Sequence, residues 1–210
     1  MRSLRERGLK VPSPHDPEGV VLVTSDAHAG IRAAVRAILP GAAWQRCRVH
    51  FARTITSRLG SARSKPVNAL VSTIFAQTTP EAVMAQYQHV IDTLRDAFPE
   101  IAQMLKDAEP DLTAFAAFPR EHWTKIWSNN PIERLNREIK RRADVVQVFP
   151  DSDSVTRLIG SVLLEQHEEW QYGERRYLSQ TSLQRLTDML HTDNSTGGAG
   201  SHPAPPAITT

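Results

Sequence analysis

Two carboxylates stand where an acid could do chemistry. The first, Glu133, lies in SNNPIERLNREIKRRADVVQVFP (residues 128–150), which opens on a strong helix-start signal. Asn130 can act as N-cap, Pro131 takes the first helical position, and Glu133 follows three residues after Asn130. At about 100° per residue, Ile132, Leu135 and Ile139 fall on one apolar arc. Glu133, Asn136, Arg137 and Lys140 share a second face, and Arg134, Glu138 and Arg141 a third. One acid at a helix start, followed by five basic residues ending at Arg142, suits a carboxylate working beside a polyanion. The same pattern also reads as a capping box with solvated arginines. The second acid, Asp26, follows the apolar β-branched run Val20–Ser25, which predicts a strand buried on both faces. Behind it, Ile31, Ala34, Val35, Ile38 and Leu39 recur at helical spacing until Pro40-Gly41. Asp26 therefore sits where a parallel strand hands over to a helix, the edge at which open α/β sheets bind ligands. N-cap of that helix is the alternative role.

Two carboxylates this far apart in sequence can converge on divalent metal. Hard oxygen ligands suit Mg²⁺ or Mn²⁺, and a pair of such ions stabilises both the attacking and the leaving oxygen in phosphoryl transfer. The basic residues beside Glu133 would then hold a phosphodiester backbone. Cys47-x-x-His50 offers two ligands with no second pair at zinc-site spacing, which favours a buried thiol and a hydrogen-bonded histidine over a four-ligand structural zinc.

The elements that must position these residues alternate in character. Residues 1–10 resemble the last turns of a basic helix ending at Gly8, a start in mid-element that implies something upstream; residues 11–19 form a Pro-rich loop. Ala43–Val49 predicts a second short strand, with His50 and Phe51 opening the next helix. From Pro66 to Ala108 the pattern is helical throughout: Val67 to Phe75, then a helix capped by Thr79-Pro80-Glu81 with Val83, Tyr87, Val90, Ile91 and Leu94 inward, then one carrying Ile101, Met104 and Leu105. Leu112–Trp127 is an aromatic connector whose rings belong in the core. Val145–Phe149 is β-prone, Asp151-Ser152-Asp153 caps a long helix towards Trp170, and Arg175-Arg176-Tyr177 leads to a last helix near Ser182–Leu190. The tail from Asp193 is low-complexity and expected to be disordered.

Composition sets outer bounds. The 210 residues are 40% hydrophobic and 23% charged with a net charge of +2, an ordinary soluble balance with room for one or two domains. Arg120 to Arg142 holds seven Lys/Arg against three Glu, and the rest of the chain sums close to neutral. A single cysteine excludes an internal disulfide; no apolar run has membrane-span length, and no signal-peptide core follows Met1. The expectation is a cytoplasmic protein with no membrane partner.

VVLVTSDAHAGI, WQRCRVHFAR and FPREHWTKIWSNNPIERLNREIKRRADVVQVFP, followed by SVTRLIGSVLLEQHEEWQYGERRYLS, closely resemble the Mutator-type transposases of bacterial insertion sequences. The resemblance spans nearly everything from residue 18 to 186, in order. It implies an α/β fold that is mostly helical overall: a partial ribonuclease-H-like core interrupted by an all-helical insertion. The corresponding boundaries are a remnant helix and loop over 1–19, core over 20–60, insertion over 61–127, core re-entry with the catalytic helix and C-terminal helices over 128–190, and a tail over 191–210. It also implies an Asp-Asp-Glu site using Mg²⁺ or Mn²⁺. Asp26 matches the second aspartate and Glu133 the glutamate, as catalytic and metal-binding residues. His28, Cys47, His50, Asn130 and Asn136 are expected to support the site, and Arg134, Arg137, Lys140, Arg141 and Arg142 to contact DNA. Implied partners are double-stranded DNA, at element ends and target, and either further copies in a homo-oligomer or a full-length transposase, which would make the protein nucleoid-associated.

One departure bears on activity. The family's first catalytic aspartate lies on the first core strand, well before the second; here about twenty-five residues precede Asp26, and Asp16 lies in a Pro-flanked loop without strand pattern. The expectation is an N-terminally truncated chain that exposes an apolar strand edge, binds metal weakly and does not transpose by itself. Two readings follow: the C-terminal catalytic portion of a transposase that cleaves and joins DNA strands in its intact form, or an inactive remnant that binds DNA or interferes with full-length transposase.

Overall fold

A computed structural model describes residues 3, 6–10, 19–172 and 177–195. They are mostly helical, with a two-stranded parallel sheet. The chain forms two compact units, residues 1–128 with 181–210, and residues 129–180.

In the first unit, β1 (Leu22–Ser25) pairs in parallel with β2 (Ala43–Arg46), Leu22 opposite Ala43 and Ser25 opposite Arg46. The crossover is α1 (Ala29–Ile38). β1 is shorter than the apolar run predicts, and it is half-buried rather than covered on both faces, with Ser25 its one buried residue. Among the described residues it pairs with β2 alone. β2 likewise stops at Arg46, because Cys47 is already the N-cap of α2 (Arg48–Ser72), which starts before His50. α1 turns Val35 inward, with Leu39 buried at its end, and leaves Ile31 exposed.

α2 is two helical segments merged across Gly60, whose φ of 76° and ψ of 163° lie in a region essentially restricted to glycine. The second segment runs into a 3-10 turn, Thr73–Ala76. α3 (Pro80–Leu94) is capped as predicted, the Thr79 hydroxyl accepting from Ala82 N at 3.2 Å, and its Val83, Tyr87, Val90, Ile91 and Leu94 are all buried. α4 (Pro99–Thr113) buries Ile101 and Leu105, with Met104 partly buried against the core. One hydrophobic cluster runs from Phe51 and Ile55 on α2 through α3 and α4 to Trp127. The helix that follows the sheet and the helical block thus share a core.

The connector folds as 3-10 turns and the short α5 (Trp123–Ile126). Its rings are core, as expected: Phe115 packs on Phe75, Trp123 and Trp127 at centroid distances of 5.1–5.5 Å. Three links fasten connector and helices to the sheet. Gln45, fully buried, donates to Leu112 O at 3.0 Å and accepts from Phe115 N at 2.8 Å. Thr24 Oγ1 donates to Ile126 O, and Arg48 N to Trp127 O at 3.0 Å.

The second unit pairs α6 (Asn130–Val146) with α7 (Ser152–Tyr172). α6 begins one residue earlier than Asn130 as cap would require: Asn129 is the N-cap, its side chain makes no cap bond, and Glu133 is no longer at capping-box spacing. The β-prone Val145–Phe149 is not a strand. α6 continues to Val146, and Gln147, at φ 63°, closes it by donating to Ala143 O at 3.0 Å. Asp151 caps α7 as predicted, accepting from Ser154 N at 2.6 Å.

The last helix, α8 (Gln180–Ser195), starts earlier and ends later than Ser182–Leu190, taking in the first residues of the predicted tail. At the amino end Ser3 and Glu6 are helical and Gly8 has φ 101°, in line with a helix ending there. The loop over 11–18 with Asp16, Arg175 and Arg176, and the tail from 196 lie outside the described residues. Among the described residues no helix is long and apolar enough to cross a membrane.

Candidate functional site

Because Ser25 is in register with Arg46, Asp26 and Cys47 are the first residues beyond the carboxyl ends of the two strands. Asp26 does not cap α1. His28 does, its Nδ1 accepting from Gly30 N at 3.2 Å, while Asp26 Oδ1 accepts from His28 N at 3.3 Å and fixes the turn. The turn opens on a cleft of about 460 Å³. Asp26, Ala27 and His28 line one side; Arg46, from the end of β2, and His50, Arg53, Thr54 and Ser57, from one face of α2, line the rest.

These side chains are held from behind. The Arg46 guanidinium lies 4.8 Å from the Phe51 ring centroid. Burial pushes its pKa below the ordinary arginine value and Asp111 pulls it back. Asp111 bonds Arg32 at 3.4 Å; burial raises its own pKa, against the pull of Arg32, Arg46 and Arg36. Arg53 Nη1 donates to His50 Nε2 at 3.3 Å, and since a guanidinium only donates, this bond places the imidazole hydrogen on Nδ1. Cys47 is fully buried, as expected for a packed thiol, with Sγ within 4.8 Å of a His50 ring nitrogen. Its amide donates to Ser25 O at 2.7 Å, locking α2 onto the strand end.

In the second unit, Glu133 sits half-buried in the first turn of α6, its amide donating to Asn129 O at 3.0 Å. Asn130, Arg134, Asn136, Arg137 and Lys140 are exposed along the helix. Arg141 and Arg142 are otherwise engaged. Arg141 grips Glu138 through two bonds of 2.9 and 2.7 Å, and Arg142 bonds Glu138 at 2.8 Å and Glu165 on α7 at 3.0 and 2.7 Å. Hydrogen bonds from Arg141 and Arg142 hold the Glu138 carboxyl down at about 2. Arg142 clamps α6 to α7, Arg141 is paired within α6 while staying exposed, and Arg134, Arg137 and Lys140 are exposed along the same helix.

Of the predicted site residues, the first unit gathers Asp26, His28 and His50 at one cleft with Cys47 packed behind it. The second carries Asn130, Glu133 and the basic residues on one helix. Arg46 and Arg53 were missed by sequence reasoning, although a signal exists. Between Ala27 and Pro80 there are eight Lys or Arg and no Asp or Glu. That excess vanishes in a whole-chain sum because Glu81 to Phe118 holds seven acids against two bases.

Comparison with known proteins points one way. The family model described as Transposase, Mutator family, matches residues 1–173. The transposase for insertion sequence element IS1081 of Mycobacterium tuberculosis is 51% identical over 193 residues, covering 90% of this chain and 43% of that protein. The transposase for IS256 in transposon Tn4001 of Staphylococcus aureus is 34% identical over 178 residues, covering 84% and 43%. That for ISRM5 of Rhizobium meliloti is 32% identical over 180 residues, covering 86% and 43%. The chain therefore spans less than half the length of these relatives.

Proposed function

Because the chain belongs to the Mutator family of transposases, we propose that it carries the second aspartate and the glutamate of a metal-dependent site for DNA strand cleavage and strand transfer, Asp26 and Glu133, on a partial ribonuclease-H-like core. The observation that carries this reading is the position of Asp26: just past the carboxyl end of a parallel strand, half-buried, and lining an open cleft. A hard carboxylate oxygen at a solvent-reached edge fits Mg²⁺ or Mn²⁺, which take one or two protein carboxylates and complete their shell with water and phosphate oxygens. Asp26 and Glu133 would hold the ion, whose chemistry when bound is to neutralise charge on the attacking and leaving oxygens of phosphoryl transfer.

The chain's own groups do the rest. The His28 amide orients the Asp26 carboxylate. Arg134, Arg137 and Lys140 hold backbone phosphates of the duplex, positioning without reading sequence. Support for a joint role of the two acids comes from connectivity. Ile126 and Trp127, the last turn before Ser128, are bonded to Thr24 and Arg48 at the strand ends, and Glu133 follows Ser128 by five residues. The proposed substrates are element ends and target DNA, and the proposed partners are further copies of the chain or of a full-length transposase. The alternative, DNA binding or interference without chemistry, shares the basic helix but makes no use of Asp26.

Mn²⁺ binding followed by loss of the free-ion electron paramagnetic resonance signal separates the two. Asp26→Asn and Glu133→Gln are each expected to weaken binding by at least about tenfold, the low end of what losing even an outer-sphere partner costs. Wild-type affinity in both variants would remove the metal-site reading and leave the binding one.

A further inference from the structure

The basic side chains of the acid-free stretch from Ala27 to Pro80 have no role in the reading above, although Arg46 and Arg53 line the cleft. On α2, His50, Arg53, Thr54, Ser57 and Arg58 recur at i, i+3, i+4, i+7 and i+8, the spacing of one helical stripe. The first four line the Asp26 cleft, and Arg58, one turn beyond Thr54, is exposed. Arg46 meets the stripe from β2, within electrostatic range of Arg58 and Arg32. Arg48, half-buried, lies 4.4 Å from the Trp127 ring centroid, and Arg63, 5.3 Å from that of Phe98, lies beyond the Gly60 break and off the stripe. Arg53 and Arg58 stand at the two edges of the stripe, roughly 7.5 Å apart along the helix axis.

We propose that this stripe is a phosphate-backbone track of the first unit. Duplex DNA laid along α2 puts phosphates against Arg46, Arg53 and Arg58 and leads the adjoining phosphodiester into the cleft beside Asp26. The proposal rests on the polynucleotide reading above and adds to it a DNA-contacting surface separate from α6. An extended polyanion fits better than a small phosphate compound, because the cleft is open and the basic stripe continues past it to Arg58. The contacts are of the positioning kind. The Thr54 hydroxyl donates to His50 O at 3.0 Å and that of Ser57 to Thr54 O at 2.9 Å, so their hydrogens are spent within the helix and guanidinium charge dominates the surface.

The test is fluorescence anisotropy of a labelled mixed-sequence duplex, titrated with the full chain in EDTA between about 50 and 200 mM salt. Excluding metal separates this surface from the carboxylate site. The negative slope of log affinity against log salt should become shallower by about 1.8 in Arg53→Gln/Arg58→Gln, about 0.9 per phosphate lost. It should stay at the wild-type value in Arg53→Lys/Arg58→Lys, which keeps both charges. The variant Arg134→Gln/Arg137→Gln/Lys140→Gln should retain the share that the α2 stripe supplies. Both arginines are exposed, so unchanged far-UV circular dichroism is expected throughout. A wild-type slope in Arg53→Gln/Arg58→Gln, or loss of all binding in the α6 variant, overturns the track and leaves the metal-site reading standing. Unchanged Mn²⁺ affinity in Asp26→Asn and Glu133→Gln, with the slope change observed, does the reverse.

Discussion

Replacing Gln45 by Leu should cost about as much stability as emptying a core position, although it inserts an apolar side chain of similar size into an apolar surround. Gln45 is 0% exposed, and its amide is satisfied on both ends: Nε2 donates to Leu112 O at 3.0 Å and Arg46 O at 2.8 Å, and Oε1 accepts from Phe115 N at 2.8 Å. In the Leu variant the Phe115 amide and the Leu112 carbonyl lose these partners where water has no access. Each buried orphan costs about 1–3 kcal/mol, and Leu recovers part of this through burial, so a net loss of about 2–4 kcal/mol is expected. Arg46 O lies nearer solvent and adds little. Urea unfolding followed by tryptophan emission is the assay, since Trp44, Trp123 and Trp127 are all buried in the same unit. The midpoint should fall with the m-value unchanged. A variant within about 0.5 kcal/mol of wild type, the range of an inert surface substitution, would refute the claim that this amide ties the sheet to the helices.

Two further outcomes follow from local geometry. Gly60→Ala meets no atom within 4 Å, so its cost is purely backbone strain; about 1–3 kcal/mol of destabilisation is expected in the same urea assay, and a neutral result would mean the helix break relaxes freely. Glu138 is held at about 2 against an ordinary 4.5, so between those values the unfolded chain takes up a proton that the folded one refuses. Its stabilising contribution is therefore complete above about pH 4.5 and lost as the pH falls towards 2. The difference in denaturation midpoint between wild type and Glu138→Gln should shrink to nothing across that window, and a constant difference would show that Arg141 and Arg142 do not depend on the carboxylate's charge.

What was legible in the sequence was what neighbouring residues decide among themselves. The Thr79 and Asp151 caps, the inward face of α3 and the strand-to-helix position of Asp26 all rest on contacts a few residues apart. Membership of the Mutator family was legible too, since motif order and spacing survive in one dimension. Element ends were less so. Asn129 rather than Asn130 caps α6, His28 rather than Asp26 caps α1, and Val145 and Val146 are helical, because competing local bonds differ there by little and surrounding contacts tip the choice. Tertiary structure decided what Arg142 is used for. Arg141 and Arg142 look like Arg134 and Arg137 in sequence, but pairing α6 with α7 brings Glu165 within reach and turns Arg142 into a clamp. Arg46 and Arg53 meet Asp26 only once β1 and β2 lie in parallel register, and that register is secured by bonds such as Gln45 to Leu112, between residues 67 apart in the chain. Helical periodicity is a property of the next turn, whereas a cleft or an ion pair belongs to whatever long-range burial brings alongside.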